Sequence, residues 1–324
     1  MINKIIDALP ANKLLEYSFR KAKKVEIVDR NPFYKKKKTI IAKTESFSNY
    51  VISNLEQYVK SFPSIEKLPP FIQEILDIEI DINKLKKALG AINWARKKCQ
   101  DVYSKQSRSL SKSNNIEFLL KKQQEIFGRV SSIVKQVDKD LIILAKAQYI
   151  LKELPNIQAI PTVVIAGYPN VGKSSILRCL SSAKPEIAQY PFTTKKIYIG
   201  HIKLKEKFFT KHIQIIDTPG LLDRSISRKN DIEKQAIAAL TYLAEIIIFV
   251  IDPSETCGYL LKDQLNLLSQ IQNLFKDCSF IIVENKVDLK KNNSKFLKIS
   301  CQTKEGFDVL NKKIIKLINK QEFR

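Results

Sequence analysis

From Phe71 to Leu154 the chain contains no proline, and only Gly90 and Gly128 fall within residues 1–158. So long a stretch without breakers dictates helices, because an interior Pro costs about 3 kcal/mol and an interior Gly about 1 kcal/mol. The apolar spacing agrees. In LKKALGAINWARKKCQDVY, Leu85, Ala88, Leu89, Ile92, Ala95, Cys99 and Val102 recur at i, i+3, i+4, i+7 and form one apolar stripe. Ile116, Leu119, Ile126, Val130, Ile133, Val137, Leu141 and Leu144 continue the pattern, with a kink expected near Gly128. Residues 1–158 therefore read as an all-α helical bundle domain, joined to the rest through LPNIQAIP.

Residues 159–324 carry the other six glycines and a different rhythm. TVVIA (162–166), KIYIGHIKL (196–204), HIQIID (212–217), EIIIFVID (245–252), FIIVEN (280–285) and FLKIS (296–300) read as strands. SSILRCL, DIEKQAIAALTYLA, LLKDQLNLLSQIQNLF and EGFDVLNKKIIKLINK lie between or after them as helices. Such alternation predicts an α/β domain on a mainly parallel, doubly wound sheet.

Two of the scarce glycines stand five residues apart in GYPNVGKSS, directly behind TVVIA and ahead of a helix. That context makes Gly167-x-x-x-x-Gly172-Lys173-Ser174 a P-loop. Its backbone N–H groups, from Gly167, Tyr168, Pro169, Asn170 and Val171 through Gly172 to Ser175, would converge on phosphate (Pro169 shaping the turn without an N–H). Lys173 would bridge the β- and γ-phosphates, and Ser174 would bind Mg²⁺. DTPG follows at the end of a strand: Asp217 as a second Mg²⁺ group, Thr218 and Pro219 as the turn, Gly220 offering its N–H to the γ-phosphate. NKVD, also at a strand end, supplies Asn285, Lys286 and Asp288. Asp288 would accept from guanine N1–H and the 2-amino group, with the Lys286 stem along the base; adenine offers neither donor. In ISCQTKEG, a backbone N–H at Ser300 or Cys301 would meet guanine O6. The motifs in this order specify a P-loop GTPase domain binding GTP and GDP. YPFTTK (190–195) reads as a switch in which Thr194, or its neighbour Thr193, reaches Mg²⁺ and γ-phosphate. Lys173, Thr194, Gly220 and Asn170 are the candidate catalytic groups. Leu221 stands where many small GTPases have the glutamine that orients water, so unaided hydrolysis is expected to be slow.

The formal net charge is +23, divided as +13 over residues 1–158 and +10 over the rest. Such charge attracts polyanions. Phe33, Tyr34, Lys35, Lys36, Lys37 and Lys38 put rings beside four lysines, a pattern suited to RNA phosphates and unpaired bases, or simply to a solvated loop. Lys84, Lys86, Lys87, Arg96, Lys97 and Lys98 lie off the apolar stripe of their helix. The five scattered cysteines include no CxxC pair, which argues against zinc or a disulfide framework. IIIFVI is far short of the roughly 20 apolar residues a membrane span needs. A cytoplasmic protein without membrane association, monomeric when free, is expected.

GYPNVGKSS, YPFTTKKIYIGHI, DTPGLLDRSISRKNDIEKQAIAAL and DPSETCGY resemble the nucleolar GTP-binding protein 1 family, within the Obg-like GTPases. SFPSIEKLPPFIQEILD, KALGAINWARK and YILKELPNI extend the resemblance into the helical half. It implies a GTPase acting on precursors of the large ribosomal subunit, with large-subunit rRNA, pre-ribosomal particles and ribosomal or assembly proteins as partners. The chain looks like a short, archaeal-type member lacking the long eukaryotic C-terminal extension; nucleolar location would apply only to a eukaryotic source. In P-loop GTPases similar at Asn170, that residue helps bind K⁺, which acts like an arginine finger; a structural hydrogen bond within the loop is the alternative. An RNA-binding scaffold using GTP as a structural ligand, a translation-associated GTPase and a membrane-surface GTPase are competing readings.

Overall fold

The structure, a computed structural model, describes residues 5–154, 160–189, 196–205, 210–224 and 229–321. It divides into two compact units: Met1–Leu68 with Leu76–Lys152, and Pro69–Ile75 with Glu153–Arg324. No described helix is long and apolar enough to cross a membrane.

The first half folds into α1 (Ala11–Lys23), α2 (Pro32–Ser61), α3 (Pro70–Ile80), α4 (Ile82–Lys112), α5 (Ile116–Gln136) and α6 (Asp138–Glu153). Helix α2 packs on α1, α4 and α5, and α4 packs on α5. The apolar stripe dictates this arrangement: Leu85, Ala88, Ile92, Ala95 and Cys99 of α4 are fully buried, while Leu89 and Val102 lie at its half-buried edges. Phe47 of α2 sits 4.5 Å, centroid to centroid, from both Phe19 of α1 and Phe127 of α5, closing the bundle with aromatic contacts.

Two features of this half go beyond the sequence reading. Helix α5 continues as one helix through Gly128, with Ile126 and Val130 buried on either side, against a penalty of only about 1 kcal/mol. The apolar pattern that runs from Ile116 to Leu144 is divided at Val137, where the backbone leaves the helical region (φ −101°, ψ 18°). The four-lysine run is not a loop but the opening of α2. Asn31 caps that helix by accepting from the Phe33 and Tyr34 N–H groups, and Pro32 stands at its first position.

The second half holds β1 (Thr162–Ala166), α7 (Lys173–Leu180), β2 (Glu186–Gln189), β3 (Lys196–Lys205), β4 (Thr210–Asp217), α8 (Asp231–Thr241), β5 (Ile246–Ile251), α9 (Leu261–Leu274), β6 (Ser279–Glu284), β7 (Leu297–Lys298) and α10 (Phe307–Gln321). One sheet runs in the order β2-β3-β4-β1-β5-β6-β7. The β1/β4, β1/β5, β5/β6 and β6/β7 pairs are parallel, whereas β2/β3 and β3/β4 are antiparallel. Strand β2 was not anticipated, because four residues paired at an edge carry little hydrophobic signal. The FLKIS segment shrinks to the two residues of β7.

Both faces of the central strands are covered, which explains why β1 and β5 are apolar throughout. Val163, Ile165, Ile215, Ile248 and Val283 form one cluster with Ile176 and Leu177 of α7 and with Leu310 and Ile314 of α10. Val164, Ile247 and Phe249, of the opposite parity, are equally buried. Each such side chain contributes about 1.5–3 kcal/mol over exposure. The register aligns the C-terminal ends: Ile165 lies opposite Asp217, Ile251 opposite Glu284, and Glu284 opposite Lys298. Loops from five separate places in the chain, after β1, β4, β5, β6 and β7, therefore leave one edge together.

Candidate functional site

The turn from β1 into α7 uses backbone that only certain residues tolerate. Gly167 has φ +139°, and a Cβ there would stand 2.5 Å from the Val250 carbonyl oxygen. Gly172 has φ +101°, and its Cβ would meet Asn285 Nδ2 at 2.2 Å. Between them Asn170 takes φ +60°, a conformation asparagine accepts more readily than most residues, and its side chain is exposed. Val171 is buried beneath the turn.

Lys173 is only 7% exposed and donates to the carbonyls of Gly167 (2.8 Å) and Tyr168 (2.7 Å), so its ammonium is held over the turn. Burial pulls its pKa down from the usual lysine range, opposed by the charges of Asp217 and Asp223. Ser174 Oγ donates to Asp217 Oδ2 across 2.6 Å. Burial pushes the Asp217 carboxyl up, against the Ser174 hydrogen bond and the Lys173 charge. Its other oxygen, Oδ1, is buried with no hydrogen-bond partner among the described residues. A serine hydroxyl and an orphaned carboxylate oxygen side by side are the hard oxygen donors that suit Mg²⁺. Lys173 and Ser174, with Asn170, Gly172, Pro219 and Asp223, line a cleft of about 410 Å³.

The turn after β4 folds back on itself. The Gly220 N–H donates to Asp223 Oδ2 (2.7 Å), and Lys229 Nζ donates to the Gly220 carbonyl (3.2 Å). Leu221 is fully buried. Arg224 reaches both oxygens of Glu233 at 2.8 and 2.9 Å, and Glu233 in turn forms a capping box with Asn230 at the start of α8.

The third cluster joins the loops after β5, β6 and β7. Asn285 Nδ2 donates to the Val171 carbonyl (2.9 Å), tying the NKVD loop to the glycine turn. Lys286 donates to Asp252 Oδ2 (2.7 Å) and Thr256 Oγ1 (2.9 Å). Asp252 is fully buried and also accepts from the N–H groups of Ser254 and Cys257. Burial alone would raise its pKa; Lys286 and the hydroxyls of Ser254 and Thr256 outweigh that and hold it below the usual range. Gln264 of α9 clamps the loop, accepting from the Asp252 N–H and donating to the Asp252 and Tyr259 carbonyls. Tyr259 lies against Tyr168 of the glycine turn, ring centroids 4.3 Å apart.

Asp288 is exposed, with Oδ1 accepting from Ser300 Oγ at 2.5 Å. The Ser300 N–H is committed to the Glu305 carbonyl (3.1 Å), so this residue aims Asp288 through its hydroxyl rather than offering an amide to a base. Cys301 stands beside Asn285, Sγ to Oδ1 3.5 Å, and burial pushes its thiol up to about 12. Thr193 and Thr194 lie outside the described residues.

The structure thus gathers Gly167 to Ser175, Asp217 to Gly220, Asn285, Lys286, Asp288, Ser300 and Cys301 on one edge of the sheet. Sequence reasoning did not single out Asp252, Gln264, Asp223, Lys229 or Glu233. DPSETCGY and RKND were visible as strings, but nothing in their spacing shows that Asp252 meets a lysine 34 residues on. The candidate RNA residues open α2: Lys38 pairs with Asp29, Lys37 donates to Asn114, and the Phe33 and Tyr34 rings meet edge-on 5.5 Å apart.

A parallel sheet with an antiparallel edge, whose first strand runs into a glycine turn tipped by a buried lysine, is the architecture of P-loop GTPases, here preceded by a helical domain. Comparison with known proteins narrows this class. Residues 3–158 match the description "NOG1 N-terminal helical domain" and residues 231–288 match "Nucleolar GTP-binding protein 1". An uncharacterized protein of Methanocaldococcus jannaschii is 42% identical over 247 residues, covering 76% of this chain and 68% of its own length. Nucleolar GTP-binding protein 1 of Kluyveromyces lactis is 34% identical over 241 residues, covering 74% of this chain and 37% of its own, so this chain matches little more than a third of that relative. A crystal structure of a nucleolar GTP-binding protein 1 from Plasmodium falciparum is 33% identical, covers 52% of this chain and 92% of its own, and has a TM-score of 0.45. The chain belongs to the nucleolar GTP-binding protein 1 family.

Proposed function

We propose that this protein binds and hydrolyses GTP as a switch in assembly of the large ribosomal subunit, with rRNA or pre-ribosomal particles as the partner. The observation that carries the nucleotide reading is the union of Asn285, Val171 and Gly172: the base-reading loop and the phosphate loop are one hydrogen-bonded body. Asp288, aimed by Ser300, is the acceptor for the guanine edge, and Lys286, held by Asp252, forms the wall beside it. Lys173 and the turn amides neutralise the phosphates. Ser174 and Asp217 would hold Mg²⁺, with Thr194 or Thr193 as the third candidate; the ion supplies charge neutralisation at the terminal phosphates. Catalysis by such a set is positioning and electrostatic stabilisation. Leu221 is buried in the core and brings no polar group to a water, so hydrolysis is slow unless K⁺ near Asn170 or a ribosomal partner assists.

The family relationship and the basic charge support the ribosomal reading. Two measurements test the whole. Purified protein should bind GTP and GDP far above ATP, and Asp288→Asn should abolish that preference; ATP bound as readily as GTP sinks the reading. In a sucrose gradient of extract, the protein should travel with large-subunit particles differently in a non-hydrolysable GTP analogue and in GDP. Turnover in KCl against NaCl tests the ion: equal rates remove K⁺. The burial of Leu221 also favours a second reading, an RNA-binding scaffold in which GTP is structural; single-turnover rates that stay negligible with and without particles would establish it.

A further inference from the structure

The turn after β4 contains its own anion. The Gly220 N–H, the group expected to meet a terminal phosphate, donates to Asp223 Oδ2 at 2.7 Å. The second Asp223 oxygen is buried and lies 3.9 Å from Lys229 Nζ, whose side chain is wholly enclosed. Lys229 also donates to the Gly220 carbonyl, so aspartate and lysine hold the same glycine, one at its N–H and the other at its carbonyl. Asp223 is no bystander at the rim. It lines the cleft with Lys173 and Ser174, and its charge acts on both Lys173 and Asp217.

We infer that Asp223 is a specificity-determining residue that stands in for the γ-phosphate and sets the balance between GTP and GDP. This rests on the nucleotide reading above. One N–H cannot serve the Asp223 carboxylate and a phosphate oxygen at full strength together, and two anions at one amide repel in a partly buried cleft. A triphosphate therefore displaces Asp223 from Gly220, leaving the Lys229 ammonium as its counter-charge. A diphosphate, which ends short of Gly220, leaves the contact intact. The switch is thus biased toward the diphosphate form by one side chain of its own turn.

Equilibrium binding of a fluorescent non-hydrolysable GTP analogue and of fluorescent GDP, on the 324-residue chain with Mg²⁺, tests this in wild type, Asp223→Asn and Asp223→Ala. The asparagine keeps the shape and removes the charge; the alanine removes both. Both variants should raise the ratio of triphosphate to diphosphate affinity at least about tenfold, the scale of a like-charge clash, with GDP affinity within about twofold of wild type. Without nucleotide, amide hydrogen exchange across residues 217–224 should quicken in Asp223→Ala, and the GTP analogue should slow it again. An unchanged ratio in both variants overturns the proposal while the nucleotide reading stands. So does a fall in triphosphate affinity, which would make Asp223 a supporter of the bound form. A merely structural role would leave Asp223→Asn like wild type and weaken both nucleotides equally in Asp223→Ala. Wild-type protein that binds neither nucleotide overturns the underlying reading, and this inference with it.

Discussion

Asn285 donates its side-chain N–H to the carbonyl oxygen of Val171 across 2.9 Å, joining residues 114 positions apart in the chain. The same nitrogen occupies the space that a side chain on Gly172 would need. The two loops are thereby one object, and disturbing either disturbs both.

Gly172→Ala should lower stability by about 1–3 kcal/mol from backbone strain alone, and more through the displaced Asn285. Asn285→Ala leaves the buried Val171 carbonyl unserved, costing about 1–3 kcal/mol. The double variant should lose less than the sum, because the alanine at 285 removes the atom that Gly172→Ala strikes. Urea unfolding of the four proteins gives the coupling; strict additivity would mean the loops are independent.

Ser300→Ala should weaken GDP and the GTP analogue equally, by about tenfold, the lower end for a hydrogen bond to a charged group. The rate at saturating GTP should not move, since Ser300 acts only through Asp288. Competition binding and initial rates check it, and a selective loss of GTP would contradict the assignment.

The Asp252–Lys286 pair should be visible in the pH dependence of stability. Lys286 and the neighbouring hydroxyls hold the folded Asp252 pKa below the ordinary aspartate range, so its contribution is fully present above that range and is lost as pH falls through the lower folded value. Asp252→Asn should therefore melt below wild type by a constant margin from about pH 5 to 8, and the margin should shrink below about pH 4. Thermal melts across that range decide; a margin that grows in acid would reverse the sign.

Leu221→Gln should not accelerate hydrolysis. The side chain points into the core, so the amide would be buried there at a cost of about 1–3 kcal/mol. Melting temperature and single-turnover rate together test this: a faster rate without loss of stability would show that position 221 reaches the nucleotide.

On the helical domain, Lys35→Ala with Lys36→Ala should flatten the salt dependence of rRNA binding by about 0.7 log units per contact for single strands. Lys38→Ala should do less, because that lysine is already paired with Asp29 at 2.7 Å. Filter binding at several salt concentrations measures the slopes.

Helix and strand positions were readable because periodicity and breakers act locally. Leu85 to Cys99 bury the stripe their spacing announces, and TVVIA becomes β1 residue for residue. The glycine turn was readable too, since Gly167 and Gly172 take backbone conformations that side chains resist. The reading fell short where local signals balance: the apolar period carries on past Val137, where α5 breaks from α6, and the lysine run opens a helix capped by Asn31.

What the sequence determined by itself was therefore the class of most elements and the glycine turn between β1 and α7. Only the tertiary structure decided that Asp252 holds Lys286, that Ser300 uses its hydroxyl rather than its amide, and that Asp223 occupies the Gly220 N–H. The first two depend on strand order, which brings distant loop residues to one edge. The third depends on how a turn closes over a buried Leu221 and Lys229. Local preference fixes a residue's conformation, whereas hydrogen-bond partners are settled by whatever the packed sheet sets within reach.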